Sequence, residues 1–165
     1  MSEETMQCSS CRTAIPGDSD FCPLCGTLAQ TEGVVCVTHQ DHEALGVCVI
    51  CSEPYCSDCL MKIKGQYLCA RHSMVEVIRE WARAYETTDT TDAQMIQGAL
   101  EQNGFRVVTQ NTSSVAYVGA QLGETGFQRS VSKRPVKIFV PADRFDEAVA
   151  FLTEWQKGTP VDDGV

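Results

Sequence analysis

Beyond residue 80, apolar positions recur with the periods of regular secondary structure. Trp81-Ala-Arg-Ala-Tyr85 alternates like a strand. Thr91-Asp-Ala-Gln94 is a capping box, and Ile96, Ala99 and Leu100 fall on one helical face behind it. Asn103-Gly104 is a helix exit. Phe105, Val107 and Thr109 alternate with Arg106, Val108 and Gln110, which predicts a second strand, and Val115–Val118 predicts a third. Val136, Ile138 and Val140 alternate up to Pro141. A final helix follows, with Phe145, Ala148, Val149, Leu152 and Trp155 on one face and Gly158 beyond it. The two tryptophans, Trp81 and Trp155, are expected in the core. This order predicts an α+β domain over 81–157, with helices on one face of a small antiparallel or mixed sheet. A disordered tail is expected over 158–165. Ser73-Met-Val-Glu76 is a further capping-box pattern, so residues 74–80 are expected to form a helical linker into this domain.

Upstream the chain is organised by cysteine. All ten cysteines lie between Cys8 and Cys69. The start, MSEETMQCSS, has no basic or apolar character of a secretory leader, so a reducing cytoplasm is expected, where clustered cysteines bind metal rather than form disulfides. Residues 1–30 hold Cys8-x-x-Cys11 and Cys22-x-x-Cys25, two pairs that close one tetrahedral four-thiolate site. Gly26 suits the tight knuckle after the second pair, Pro23 pre-sets the turn inside it, and Ile15-Pro16-Gly17-Asp18 turns between the knuckles. Cys22-Pro-Leu-Cys25 also has the look of a redox pair. A redox pair opens a helix, however, whereas a glycine follows here and a second pair lies upstream. Residues 34–73 hold four more pairs: Cys36/His39, Cys48/Cys51, Cys56/Cys59 and Cys69/His72. Eight ligands serve two ions. Only four residues separate Cys51 from Cys56, too few to arch comfortably over one ion. Interleaving is therefore expected, pair one with pair three and pair two with pair four, three thiolates and one imidazole each. The twelve ligands use every cysteine and two of the three histidines. His42 is the spare, and an alternative to His39 with a less favourable spacing.

These patterns carry resemblances. The string CSSCRTAIPGDSDFCPLCG resembles the short zinc ribbon at the N-termini of many bacterial regulatory and membrane-associated proteins. The string CVTHQDHEALGVCVICSEPYCSDCLMKIKGQYLCARH resembles a B-box zinc finger in its bacterial form, with cysteine at the seventh ligand position and a longer gap before it. No RING motif or coiled coil accompanies it, so ubiquitin-ligase activity is not implied. The aromatic first strand, the QGALEQNGF helix exit and the VKIFVP strand resemble a small ferredoxin-like family of prokaryotic signal-transducing domains, which implies a regulatory or interaction role without catalytic residues.

Charge narrows the function. The net charge is −9, with one basic and four acidic residues in 1–30, three and five in 31–73, nine and thirteen in 74–165. That is not the basic stripe of a nucleic-acid binder, and no stretch approaches the length of a membrane span. Lys62, Lys64 and Arg71 are the basic residues of the second module, expected to offset thiolate charge. In the segment Gly119–Arg134, Gly119, Gly123 and Gly126 form no phosphate-loop fingerprint. Arg129, Lys133, Arg134 and Lys137 cluster at and just beyond its end as a candidate site for an anionic ligand or acidic partner. The expected protein is thus a non-catalytic zinc-binding adaptor with three zinc ions and a protein partner. The alternatives are a nucleic-acid-associated ribbon protein and a zinc-thiolate redox sensor.

Overall fold

The computed structural model describes residues 4–111 and 134–158. The chain divides into two compact units: Met1–Ala82 with Ala142–Asp146, and Arg83–Pro141 with Glu147–Val165.

The first unit is built from hairpins. Strands β1 (Thr5–Gln7) and β2 (Ala14–Pro16) pair antiparallel, Met6 opposite Ile15. Strands β3 (Gly46–Val47) and β4 (Pro54–Tyr55) do the same, as do β5 (Leu60–Ile63) and β6 (Gln66–Cys69). Two-stranded hairpins this short are not stable alone in water. The β5–β6 hairpin packs in a core of Val49, Ile50, Leu60, Leu68, Val77, Ala82 and Ala142, in which Cys48 and Cys69 are also buried, whereas Ile15 of β2 packs with Cys8, Cys22 and Cys25, and Val47 of β3 with Leu28 and Ala44.

The linker is a correction to the sequence reading. Residues 74–80 form no helix: β7 (Val77–Ile78) pairs antiparallel with the start of β8 (Trp81–Thr87), Val77 opposite Ala82. The Ser73 hydroxyl donates to the Ala70 carbonyl at 3.0 Å instead of capping a helix. Arg79, at φ 55, makes the turn, and Val77 goes into the core. Apolar burial outweighs the weak helix signal of one capping box. The Ala142 N–H donates to the Glu80 carbonyl at 2.7 Å, which ties residues 142–146 to this hairpin.

The two cysteine-rich modules are also more closely joined than beads on a string. The second knuckle of the first module lies against the second module: Val47 N–H donates to the Gly26 carbonyl (2.8 Å) and Tyr67 N–H to the Cys25 carbonyl (2.9 Å). The buried Gln66 side chain donates to the carbonyls of Leu24 (2.8 Å) and Arg79 (2.7 Å). Gly26 is left-handed, at φ 80, and a Cβ there would sit 2.1 Å from the Val47 carbonyl oxygen. Gly26→Ala is therefore expected to destabilise the first unit by about 2–5 kcal/mol, backbone strain and overpacking together. Gly33 is equally left-handed with open space around it. Gly33→Ala should cost only the strain, about 1–2 kcal/mol. Thermal melts of the metal-loaded variants check the difference.

The second unit is a small α+β domain. Strand β8 continues into it, followed by α1 (Thr90–Gln102), β9 (Val108–Asn111), β10 (Val136–Pro141), a 3-10 turn (Ala142–Arg144, which belongs to the first unit) and α2 (Phe145–Gly158). Its strands lie in the order β8-β10-β9, with β9 and β10 antiparallel, Phe139 opposite Val108. Asp89, rather than Thr91, caps α1, accepting from the N–H groups of Thr91 and Asp92. The helix ends at Asn103, and Phe105 N–H closes back to the Leu100 carbonyl at 3.1 Å. That exit occupies residues 103–107, so the strand expected from Phe105 begins at Val108. Ile96, Leu100, Phe105, Ile138, Val140, Ala148 and Leu152 are buried, whereas Trp81 and Trp155 are only half-buried. The expected strand Val115–Val118 and the residues beyond Gly158 lie outside the described residues.

Candidate metal centres

Three of the cysteine pairs sit on knuckles with one hydrogen-bond pattern. The N–H groups of Cys8, Cys22 and Cys48 donate to the carbonyls of Thr13, Thr27 and Glu53 at 2.9, 2.8 and 3.1 Å. The N–H groups of Arg12, Gly26 and Ser52 return to the carbonyls of Cys8, Cys22 and Cys48 at 2.9, 2.8 and 2.9 Å. In each, the residue after the second cysteine is left-handed: Arg12 at φ 61, Gly26 at 80, Ser52 at 59. The sequence pointed only to Gly26. Arg12 and Ser52 adopt the same turn at about 1–2 kcal/mol each. The turn aims backbone N–H groups at sulfur. Cys8 receives those of Ser10 and Cys11, Cys22 those of Leu24 and Cys25, Cys48 those of Ile50 and Cys51.

The twelve residues named from the sequence gather into three groups: Cys8, Cys11, Cys22 and Cys25; Cys36, His39, Cys56 and Cys59; Cys48, Cys51, Cys69 and His72. Within each group the candidate ligand atoms all lie within 4.8 Å of one another. The second and third groups interleave, pair one with pair three and pair two with pair four. His39, not His42, completes the second group. His42 stacks at 5.4 Å from the His39 ring and lies near Cys56 and Asp58.

The spacings fit a tetrahedral ion. Sulfurs bound to zinc at about 2.3 Å stand about 3.8 Å apart at the corners of a tetrahedron, and a sulfur–imidazole edge is about 3.6 Å. Cys8–Cys25 and Cys11–Cys22 sulfurs are 3.5 and 3.6 Å apart. His39 Nδ1 is 3.9, 3.6 and 3.2 Å from the sulfurs of Cys36, Cys56 and Cys59. His72 Nδ1 is 3.5 and 3.3 Å from those of Cys48 and Cys69. A disulfide would need about 2.05 Å. All ten cysteines are free.

Electrostatics point the same way. In the third group the bond from the Cys51 thiol, aided by backbone N–H groups, holds the Cys48 pKa down to about 4. Donating that bond drives the Cys51 pKa far upward. In the first group the Thr13 hydroxyl, 3.4 Å from the Cys11 sulfur, lowers Cys11 to about 6, while burial pushes Cys22 up to about 12. In the second group burial acts upward on Cys36, but the N–H groups of Cys56, His39 and Thr38 outweigh it and bring it to about 6; burial raises Cys59 to about 11. Each group thus contains sulfurs whose ionisation its surroundings favour and others whose ionisation they oppose. A divalent ion at the centre would ionise all of them, since a coordinating thiol is deprotonated outright.

Around the groups, His72 is buried and its Nε2–H donates to Asp146 Oδ1 at 2.9 Å, with the Arg71 guanidinium 3.3 Å from Oδ2. The Lys62 ammonium lies 5.3 Å over the Tyr67 ring. Asp146 escaped the sequence reading because it is seventy-four residues from His72 and no local pattern marks it. Of the basic cluster proposed as an anion site, Arg134 is exposed and Lys137 lies half-buried on β10, while Arg129 and Lys133 lie outside the described residues.

Residues 81–156 match the model of the family described as "Putative prokaryotic signal transducing protein". No curated protein and no solved structure matches the chain. Among the described residues no helix is long and apolar enough to cross a membrane.

Proposed function

We propose that this chain is a non-catalytic zinc-binding adaptor of prokaryotic signal transduction, holding three zinc ions and acting through a protein partner in the cytoplasm. The observation that carries the reading is the gathering of twelve donors into three sets of four. Thiolate-rich sets select zinc among abundant divalent ions, and four protein ligands leave no open position for a water or substrate, so each site is structural. In this reading the first set belongs to a zinc ribbon and the other two to a B-box-like finger. The strand order β8-β10-β9, with a helix after β8 and another after β10, supports a ferredoxin-like domain behind them. The family match supports the signalling role. An excess of acidic residues in every part of the chain disfavours nucleic acid as the partner.

The test is chemical cross-linking in a bacterial lysate with the full chain as bait, loaded with zinc or stripped by chelator. A specific protein captured by the loaded chain and lost on stripping is the expected outcome. Salt-sensitive retention on DNA in place of a protein partner would overturn the adaptor reading.

A further inference from the structure

His72 differs from the other candidate imidazole ligand in what stands behind it. Both histidines turn Nδ1 toward sulfur, but His39 is exposed, whereas His72 is only 2% exposed and its far nitrogen meets a carboxylate. An ionised carboxylate can only accept. The 2.9 Å contact to Asp146 Oδ1 therefore places the proton on Nε2 and leaves the Nδ1 lone pair facing Cys48 and Cys69. That is the tautomer a metal at this group needs. Phe145 closes one side of the ring edge-on, with centroids 6.0 Å apart. The exposed Arg71 guanidinium lies 3.3 Å from the other carboxylate oxygen.

Asp146 also occupies a particular place in the chain. It is the second residue of α2 and lies within the stretch that matches the signal-transducing family, yet the segment Ala142–Asp146 belongs to the first unit. Ala142 is buried in the same core as Cys48 and Cys69, and its N–H is bonded to Glu80.

We propose that Asp146 is the outer carboxylate of the Cys48–Cys51–Cys69–His72 metal site, so that metal occupancy there and the docking of residues 142–146 favour each other. This rests on the reading that the group binds zinc. A carboxylate on the far nitrogen of a histidine ligand fixes the ring and raises its basicity, and its removal typically weakens metal binding by about 10- to 100-fold. Coupling between two sites is reciprocal, so zinc leaving His72 loosens the first turn of α2 to the same degree that loosening this turn weakens zinc. Occupancy of one site in the cysteine-rich unit is thereby reported to a segment of the family-matched region. Asp146 acts as a positioning residue; it does not touch the ion.

The test uses the full chain with zinc as the only probe. Stepwise release to a competing chelator is followed by native mass spectrometry, and the site emptied is identified from the amide resonances of Cys69 and His72. Asp146→Ala is expected to weaken that one site by about 10- to 100-fold and leave the other two unchanged. Asp146→Asn, whose amide oxygen can still accept from Nε2–H, should fall between. Arg71→Ala removes only an exposed ion pair and should stay within about twofold. In wild type, nitrogen-15 shifts should show His72 protonated at Nε2. Exchange of the Ala142 amide should speed up by roughly 5-fold or more, both in Asp146→Ala and when this site is emptied in wild type. Three bound ions with Asp146→Ala and wild type equal in affinity at this site would overturn the proposal and leave the zinc reading standing. Fewer than three ions in wild type, with the Cys48 group empty, would overturn both.

Discussion

Stripping the metal from the full chain with a strong chelator is expected to unfold the first unit while the second keeps its fold. Among its described residues the first unit has four short hairpins and three small buried clusters. A structural zinc site of this kind contributes roughly 10–16 kcal/mol of apparent binding free energy at neutral pH, as much as the whole stability of a typical domain. On the proposed reading, three such sites carry the unit. The second unit buries Ile96, Leu100, Phe105, Ile138, Val140, Ala148 and Leu152 and contains no cysteine or histidine. Hydrogen exchange read by mass spectrometry should show amides of residues 4–82 losing protection on chelation, those of 93–102 and 136–140 retaining it. Residues 142–146 should follow the first group, because they pack with it. Loss of protection along the whole chain in one step would mean that the second unit has no stability of its own. Full protection after complete metal removal would mean that the metal does not hold the first.

Cys56→Ser should release one ion and only one. Cys56 shares its group with Cys36, His39 and Cys59, although Cys51 is nearer to it in the chain than Cys36 or His39. Removing one thiolate opens a site that contributes roughly 10–16 kcal/mol when filled, and the loop that carries Cys36 and His39 should lose order with it. The Cys48–Cys51–Cys69–His72 group keeps all four donors. Native mass spectrometry of the variant should show two ions, with Cys69 and His72 amides unmoved. Displacement of those amides, or loss of two ions, would contradict the interleaved arrangement.

The grouping of the donors was legible in the chain because candidate metal ligands are spaced by geometry rather than by tertiary context. A two-residue spacer brings two sulfurs to one ion wherever the loop lies, and the four residues between Cys51 and Cys56 are too few to bring both of their pairs to one ion. The same locality explains the helices: α1 carries Ile96 and Leu100 on one face and an exit at Asn103-Gly104, and both read correctly. What escaped depended on partners distant in sequence. Residues 74–80 carried a helix signal, but Val77 is buried in a core that includes Leu68 and Ala142. Gly26 was expected for its own turn, not for the close approach of the Val47 carbonyl. Gln66 and Asp146 are ordinary polar residues until the fold sets one against Leu24 and Arg79 and the other against His72. A domain boundary drawn at residue 81 likewise misses Ala142–Asp146, which the chain returns to the first unit sixty residues later.

The central claim is that three filled zinc sites organise the cysteine-rich unit, and the metal content of the protein purified without added metal tests it most directly. Elemental analysis together with native mass should give three zinc ions per chain and no disulfide. A value near one, with the remaining cysteines free to alkylating reagent or oxidised, would contradict it.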